Sequence, residues 1–199
     1  VGRVERSRTV VFDLGEVLVS SGAVLPRLAA EVGVSADEFA AAYWPGRLTY
    51  DLGGSAEAYW TGVVRALGRA PEPGLLRRLT DMDSTKWSTL PPASADLLAH
   101  VRGSGVRLGV LSNAPGPLAA AVRAAPWSAD VGHLVFSAEV ELVKPDPEIY
   151  AHADAVYGTE PGDVVFFDDK PENVEAARAH GWSAHVWEGP DAAIATLDR

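Results

Sequence analysis

Residues 9–20 read Thr-Val-Val-Phe-Asp-Leu-Gly-Glu-Val-Leu-Val-Ser. Val10, Val11 and Phe12 form a short β-branched and aromatic run, the pattern of a buried strand. The run ends on Asp13. Gly15 interrupts the pattern, and a second apolar run follows at Val17, Leu18 and Val19. In an open parallel sheet, ligands bind in the crevice beyond the carboxyl ends of the strands. Asp13 therefore stands where chemistry usually takes place, although an acid after a strand also serves as a helix cap or turn residue.

Downstream of Ser20 the periodicity becomes helical. Leu25, Leu28, Ala29 and Val32 share one face, and Gly33 closes that segment. Ser35 and Glu38 have capping-box spacing and open a helix through Phe39, Ala42 and Tyr43. Ser55 caps a further helix bearing Tyr59, Trp60, Val63 and Val64, and Leu75, Leu76, Leu79 and Met82 mark another. From Leu90 onward, helices alternate with apolar strands at 106–111, 134–136, 164–167 and 184–187. Such alternation predicts an α/β fold, a Rossmann-like parallel sheet with helices on both faces. The core would comprise residues 9–20 and 89–199, and the helical segment 21–88 would form a cap inserted after the first strand.

Composition narrows the classes further. The chain has 199 residues, which suits one domain with a sizeable insertion or two small ones. Hydrophobic residues make up 47%, enough for a full core. The absence of cysteine removes disulfides, thiolate metal ligands and a cysteine nucleophile, and fits a reducing, cytoplasmic setting. No apolar run approaches the roughly 20 residues needed to span a bilayer. Residues 1–8 are expected to be a frayed leader, with no long apolar stretch of a secretory signal behind them. A formal charge of −10 argues against nucleic acid or an anionic membrane as partner. A small phosphorylated metabolite remains compatible, because a local site can oppose the global charge.

Four strand ends carry polar residues: Asp13, Ser112 with Asn113, Lys144 just beyond the third, and Asp168 with Asp169. Each has an ordinary reading as a cap, a turn residue or a solvated lysine. Together, on successive strands of one sheet, they suit a single reaction. A carboxylate such as Asp13 can attack a phosphate ester and form a covalent intermediate. Attack on a dianion needs a bridging cation, and Mg²⁺ suits a few carboxylates with waters retained. Asp13 and Asp169 could supply those carboxylates. Lys144 and Ser112 could bind the oxygens of the transferring group.

Val10-Val-Phe-Asp-Leu-Gly-Glu-Val-Leu, Leu111-Ser-Asn, Lys144-Pro-Asp-Pro-Glu-Ile-Tyr and Val165-Phe-Phe-Asp-Asp-Lys-Pro-Glu-Asn-Val-Glu-Ala-Ala resemble the four motifs of the haloacid dehalogenase-like hydrolases. The resemblance runs from about Thr9 to Trp187. It implies Asp13 as nucleophile, Ser112, Asn113 and Lys144 as substrate contacts, and a Mg²⁺ held by Asp13, Asp169 and the Gly15 carbonyl. Asp168 would support the site from behind or share the metal, and Asn173 matches the last polar position of the fourth motif.

Position 15 departs from the pattern. Phosphatases of the family usually carry a second aspartate there, whose carboxyl protonates the leaving group and whose carbonyl binds the metal. Gly15 keeps the carbonyl and loses the acid, and general acid catalysis is worth roughly 10²–10⁴-fold. Glu16, a cap residue or water would have to take over, or the substrate would need a good leaving group, as sugar 1-phosphates have. Dehalogenases of the same family also lack that aspartate and share the Ser-Asn pair, the lysine and a later tyrosine, here Tyr150. They displace halide from carbon without metal, and their fourth motif carries serines where this chain has Asp168-Asp169. Adjacent carboxylates in a metal-free anion site would repel the substrate, so a phosphatase is expected ahead of a 2-haloacid dehalogenase. A catalytically weak phospho-ligand-binding protein is the third reading.

Within the helical segment, Tyr43, Tyr50, Tyr59 and Trp60 are expected to fill its own small core. Arg47 should lie in a loop after Pro45-Gly46 and could hold a substrate anion; Trp44 could join it. Trp87 and Trp127 are expected to pack at the edges of the core. The five histidines have no metal-ligand spacing.

Overall fold

The computed structural model describes residues 8–198. The expected leader, residues 1–8, falls outside them apart from Arg8. Strands β1 (Thr9–Phe12), β2 (Arg107–Ser112), β3 (His133–Phe136), β4 (Val164–Asp168) and β5 (Ser183–Val186) form one sheet, all parallel, in the order β3-β2-β1-β4-β5. β1 is central, and the chain order reverses between β1 and β4. Ligands are bound at such a reversal in open α/β sheets. The backbone N–H of Asp13 donates to the Phe167 carbonyl at 2.9 Å, which ties the ends of the two central strands together.

The helices are α1 (Leu25–Val32), α2 (Ala36–Tyr43), α3 (Arg47–Asp51), α4 (Ala56–Ala66), α5 (Pro73–Trp87), α6 (Pro92–Gly103), α7 (Gly116–Ala124), α8 (Ser137–Val140), α9 (Pro147–Tyr157), α10 (Pro171–His180) and α11 (Pro190–Leu197). Their boundaries follow local chemistry. Gly33 ends α1 in the left-handed conformation, with φ 73°. Ser35 and Glu38 make the capping box that opens α2, and the Ser55 hydroxyl accepts from Ala58 N–H to open α4. Prolines occupy the first turn of α9 and α10, where a missing N–H costs nothing.

The inner strands are apolar on both sides because both faces of the sheet are covered. Val11, Leu111 and Phe166 face α9 and α10, packing with Ile149, Tyr150, Ala153 and Val174. Val10, Phe12, Val110 and Phe167 face the other way and join one apolar cluster that runs without a break into the helices of residues 25–87. β2 lies close beneath α9: a Cβ on Gly109 would sit 3.3 Å from both the Tyr157 ring and a Val11 methyl. The Tyr157 hydroxyl donates to the Val110 carbonyl at 3.0 Å on the same strand.

Residues 14–19, with the second apolar run, make a tight turn. Leu18 and Val19 N–H both donate to the Leu14 carbonyl, and Glu16 N–H donates to Val19. Glu16 sits at φ 57°, a left-handed conformation that few non-glycine residues adopt. Its carboxylate accepts from Ser21 N–H at 2.8 Å. Ser94 on α6 donates to the Leu18 carbonyl at 2.8 Å and clamps the turn to the core. Among the described residues, no helix is long and apolar enough to cross a membrane.

Candidate active site

β1 delivers Asp13 to the carboxyl edge of the sheet, β2 delivers Ser112 and Asn113, and β4 delivers Asp168 and Asp169. Lys144 arrives from the stretch before α9. All four groups meet there. The Lys144 ammonium lies 2.6 Å from Asp168 Oδ2 and 3.0 Å from Asp13 Oδ1. Lys144, Asp13 and Asp168 are all buried. Asp13 Oδ1 also accepts from Leu14 N–H at 2.7 Å, and the Ser112 hydroxyl hydrogen-bonds the same carboxylate.

Two flanking amides are committed to holding these groups. Asn113 Nδ2 donates to the Lys144 carbonyl and its Oδ1 accepts from Lys144 N–H, both at 2.9 Å. Its amide therefore positions the lysine from the next strand, a finding that differs from the substrate contact expected of it. Asp168 Oδ1 accepts from Asn173 Nδ2 and Lys170 N–H, each at 2.9 Å. With Lys144 on its other oxygen, Asp168 is satisfied as an anion. The Tyr150 hydroxyl donates to the Asn173 carbonyl at 2.9 Å and braces that residue.

Asp169 has no such partners. Its half-buried carboxylate makes no hydrogen bond among the described residues, although one oxygen from each of Asp13, Asp168 and Asp169 lies within 4.8 Å of the others. Burial, and then the Asp13 and Asp168 charges, push the Asp169 carboxyl up to about 6. Burial also raises Asp13; Lys144 opposes this and Asp168 adds to it. Burial alone would lower the Lys144 ammonium, but Asp13 and Asp168 more than offset it and hold it above its ordinary value. The Gly15 carbonyl, beside Asp13, accepts no hydrogen bond among the described residues. An unpartnered acid, a free carbonyl and a second carboxylate are a hard-oxygen donor set that fits Mg²⁺.

Asp13, Gly15, Ser112, Lys144 and Asp169 line a cavity of about 380 Å³, roofed by Trp44, Arg47, Leu48, Asp51 and Trp87. Arg47 is not in a loop: it is the first residue of α3, because Gly46 and the following turn start a helix at once. Nor is it a free anion-binding group. Its Nε lies 2.8 Å from Asp51 Oδ1, its Nη1 lies 3.4 Å from Asp83 Oδ2 on α5, and Nη1 also donates to the Tyr43 hydroxyl. Its guanidinium is already engaged by two buried acids. Trp87 does not sit at a core edge. Its ring faces the cavity next to Gly15, and its indole N–H donates to the Tyr43 hydroxyl at 3.0 Å. Trp127 does pack peripherally, partly buried, with its indole N–H on the Ser88 carbonyl. Trp44 and Leu48 remain 45% and 59% exposed, which leaves an apolar rim at the cavity mouth.

The sequence reading missed Asp51, Asp83 and Lys170. Asp51 is four residues from Arg47, a spacing that pairs opposite charges on a helix. Asp83 carries no such local signal.

A family model described as haloacid dehalogenase-like hydrolase matches residues 7–181. The chain belongs to that family. Being a haloacid dehalogenase-like hydrolase, it resembles members with different chemistries. It is 35% identical over 86 residues to a sesquiterpene phosphatase of Aspergillus oryzae, an alignment covering 43% of this chain and 44% of that protein. It is 26% identical over 187 residues to (S)-2-haloacid dehalogenase 1 of a Pseudomonas species, covering 88% of this chain and 82% of that one. An enzyme of the family from Bacteroides thetaiotaomicron, solved with magnesium and inorganic phosphate, superposes with a TM-score of 0.70. Its identity is 19%, over 92% of this chain and 95% of that chain. The superposition establishes the shared fold.

Proposed function

We propose that this hydrolase is a Mg²⁺-dependent phosphatase of a small phosphorylated metabolite, a sugar phosphate being one candidate. Residues 21–88 would act as its cap and the cytoplasm would be its setting. The observation that carries the reading is the Asp169 carboxylate, half-buried and without a hydrogen-bond partner beside Asp13 and Asp168. Three carboxylates against one lysine leave surplus negative charge, which would exclude an anionic substrate unless a cation is present.

In this reading Asp13, Asp169 and the Gly15 carbonyl would hold Mg²⁺, which would supply the positive charge that offsets the surplus. The chain's own residues do the rest. The Asp13 carboxylate attacks phosphorus and forms an aspartyl-phosphate, which water then hydrolyses. Lys144 and Ser112 hold the equatorial phosphoryl oxygens as charge builds on them. Asn113 fixes the Lys144 backbone, and Asp168 fixes its ammonium.

The test is phosphate release from 4-nitrophenyl phosphate. It should require Mg²⁺ and vanish in Asp13→Asn. The competing reading, a 2-haloacid dehalogenase, is favoured by Gly15 and by the alignment along 82% of the Pseudomonas dehalogenase. It predicts metal-independent halide release from 2-chloropropionate. Neither activity, together with binding of a phosphorylated ligand, would indicate a non-catalytic binding protein.

A further inference from the structure

Resting on the phosphatase reading, we propose that Asp51 is the general acid, supplied by the helical segment in place of a carboxyl at position 15. Glu16, the nearest alternative in sequence, also borders the cavity and accepts from Ser21 N–H on one oxygen, but its side chain is less buried than that of Asp51. Asp51 borders the same cavity as Asp13. It is also anchored there: the Ser137 hydroxyl donates to the Asp51 carbonyl at 2.5 Å and accepts from Ala114 N–H at 2.9 Å. That relay fastens α3 to the strand end that carries Ser112. Two residues on, Gly53 takes φ 96°, and a Cβ there would lie 3.4 Å from the Ala138 carbonyl. Only glycine lets the chain turn this close to the core.

The hydrogen bonds decide which of the two acids beside Arg47 holds a proton. The Tyr43 oxygen accepts from Arg47 Nη1 and Trp87 Nε1, so its own proton goes to Asp83 Oδ1 at 2.8 Å. Asp83 Oδ2 accepts from Arg47 at 3.4 Å. Asp83 thus accepts on both oxygens, as a carboxylate does, and balances Arg47. Asp51 has one oxygen on Arg47 Nε, while Oδ2 makes no hydrogen bond among the described residues. Asp51 is the surplus carboxyl, with room for a proton on the unpaired oxygen. Burial raises both acids against the pull of Arg47. It takes Asp51 to about 7, with Asp83 adding to the rise and Lys170, across the cavity, opposing it.

The step balances. An Asp13 oxygen bonds to phosphorus, the bond from phosphorus to the ester oxygen breaks, and its electron pair stays on that oxygen. The oxygen takes the Asp51 proton and leaves as an alcohol. In the second half, a water oxygen bonds to phosphorus as the phosphorus–Asp13 bond breaks. Asp51 takes the water proton and is restored.

The experiment compares wild type and Asp51→Asn, each with saturating Mg²⁺, on 2,4-dinitrophenyl phosphate and on ethyl phosphate. The first leaving group departs without a proton; the second needs one. The substitution should lower kcat/KM for the ethyl ester roughly 10²–10⁴-fold more than for the dinitrophenyl ester. Phosphorylated enzyme should accumulate in the variant with the dinitrophenyl ester, because water has lost its base. In wild type, kcat/KM for ethyl phosphate should fall above about pH 7 while the dinitrophenyl ester shows no such limb. Equal losses on both esters, or identical wild-type pH profiles, would overturn the proposal, and the second result needs no variant to fold. A wild-type protein that releases phosphate from neither ester overturns the phosphatase reading itself, and the Asp51 proposal with it.

Discussion

Lys144 Nζ and Asp168 Oδ2 are 2.6 Å apart, with side chains 1% and 0% exposed. The pair is the electrostatic centre of the site, because the same ammonium also reaches Asp13. Isolated buried ion pairs are costly to desolvate. This one is supported by Asn113 on the lysine backbone and by Asn173 and Lys170 on the aspartate.

Lys144→Met should therefore unfold more easily as well as lose activity. It leaves Asp13 and Asp168 facing each other without a cation, and breaking a buried pair costs about 3–5 kcal/mol. Urea denaturation without Mg²⁺ measures this. Because the Lys144 value is raised in the fold, its contribution is complete at neutral pH. It is lost only as pH climbs from the ordinary lysine value of about 10.4 through the folded one.

Asp169→Asn should raise stability without metal and abolish stabilisation by Mg²⁺. Removing one of three adjacent carboxylates relieves repulsion. Mg²⁺ at 100 times its Kd should add about 2.7 kcal/mol to the wild type. Thermal melts with and without Mg²⁺ read both effects. A variant that keeps the full Mg²⁺ shift would remove Asp169 from the ligand set.

Asp51 makes the wild type less stable as pH rises. Its carboxyl goes from an ordinary value of 3.8 to about 7 in the fold, so the folded state holds the proton longer. The resulting stability is complete below the unfolded value and is lost as pH rises through the folded value. Against Asp51→Asn, which cannot titrate, wild-type stability should decline between about pH 4 and 8, by on the order of a few kcal/mol. Denaturant titrations across that range check the sign. A flat difference would mean that the carboxyl titrates normally.

Arg47→Met should destabilise by about 3–5 kcal/mol, because it strands Asp83, which is 1% exposed. A residue that only touched substrate would raise KM and leave unfolding untouched. Urea denaturation beside steady-state kinetics separates the two.

Gly109→Ala should cost about 1–3 kcal/mol, since the added methyl group meets the Tyr157 ring and Val11 at 3.3 Å inside a filled layer. The midpoint of thermal unfolding reports it.

The sequence by itself determined the strands, most helix ends and the polar ends of β1, β2 and β4, because these depend on neighbours a few residues away. Val10-Val-Phe-Asp ends a buried run wherever it folds, and Ser35 with Glu38 caps whatever helix follows. Asp13 and Asp169 come near one another at one edge, since parallel strands bring their carboxyl ends together. Tertiary structure alone decided what those groups are free to do. Arg47 is balanced by an acid 36 residues away. Asn113 is committed to a backbone 31 residues away. Asp51 borders the cavity from a helix whose seating rests on Ser137, 86 residues away. Such pairings follow from how the helices and strand ends pack on one another, and no local periodicity encodes that packing.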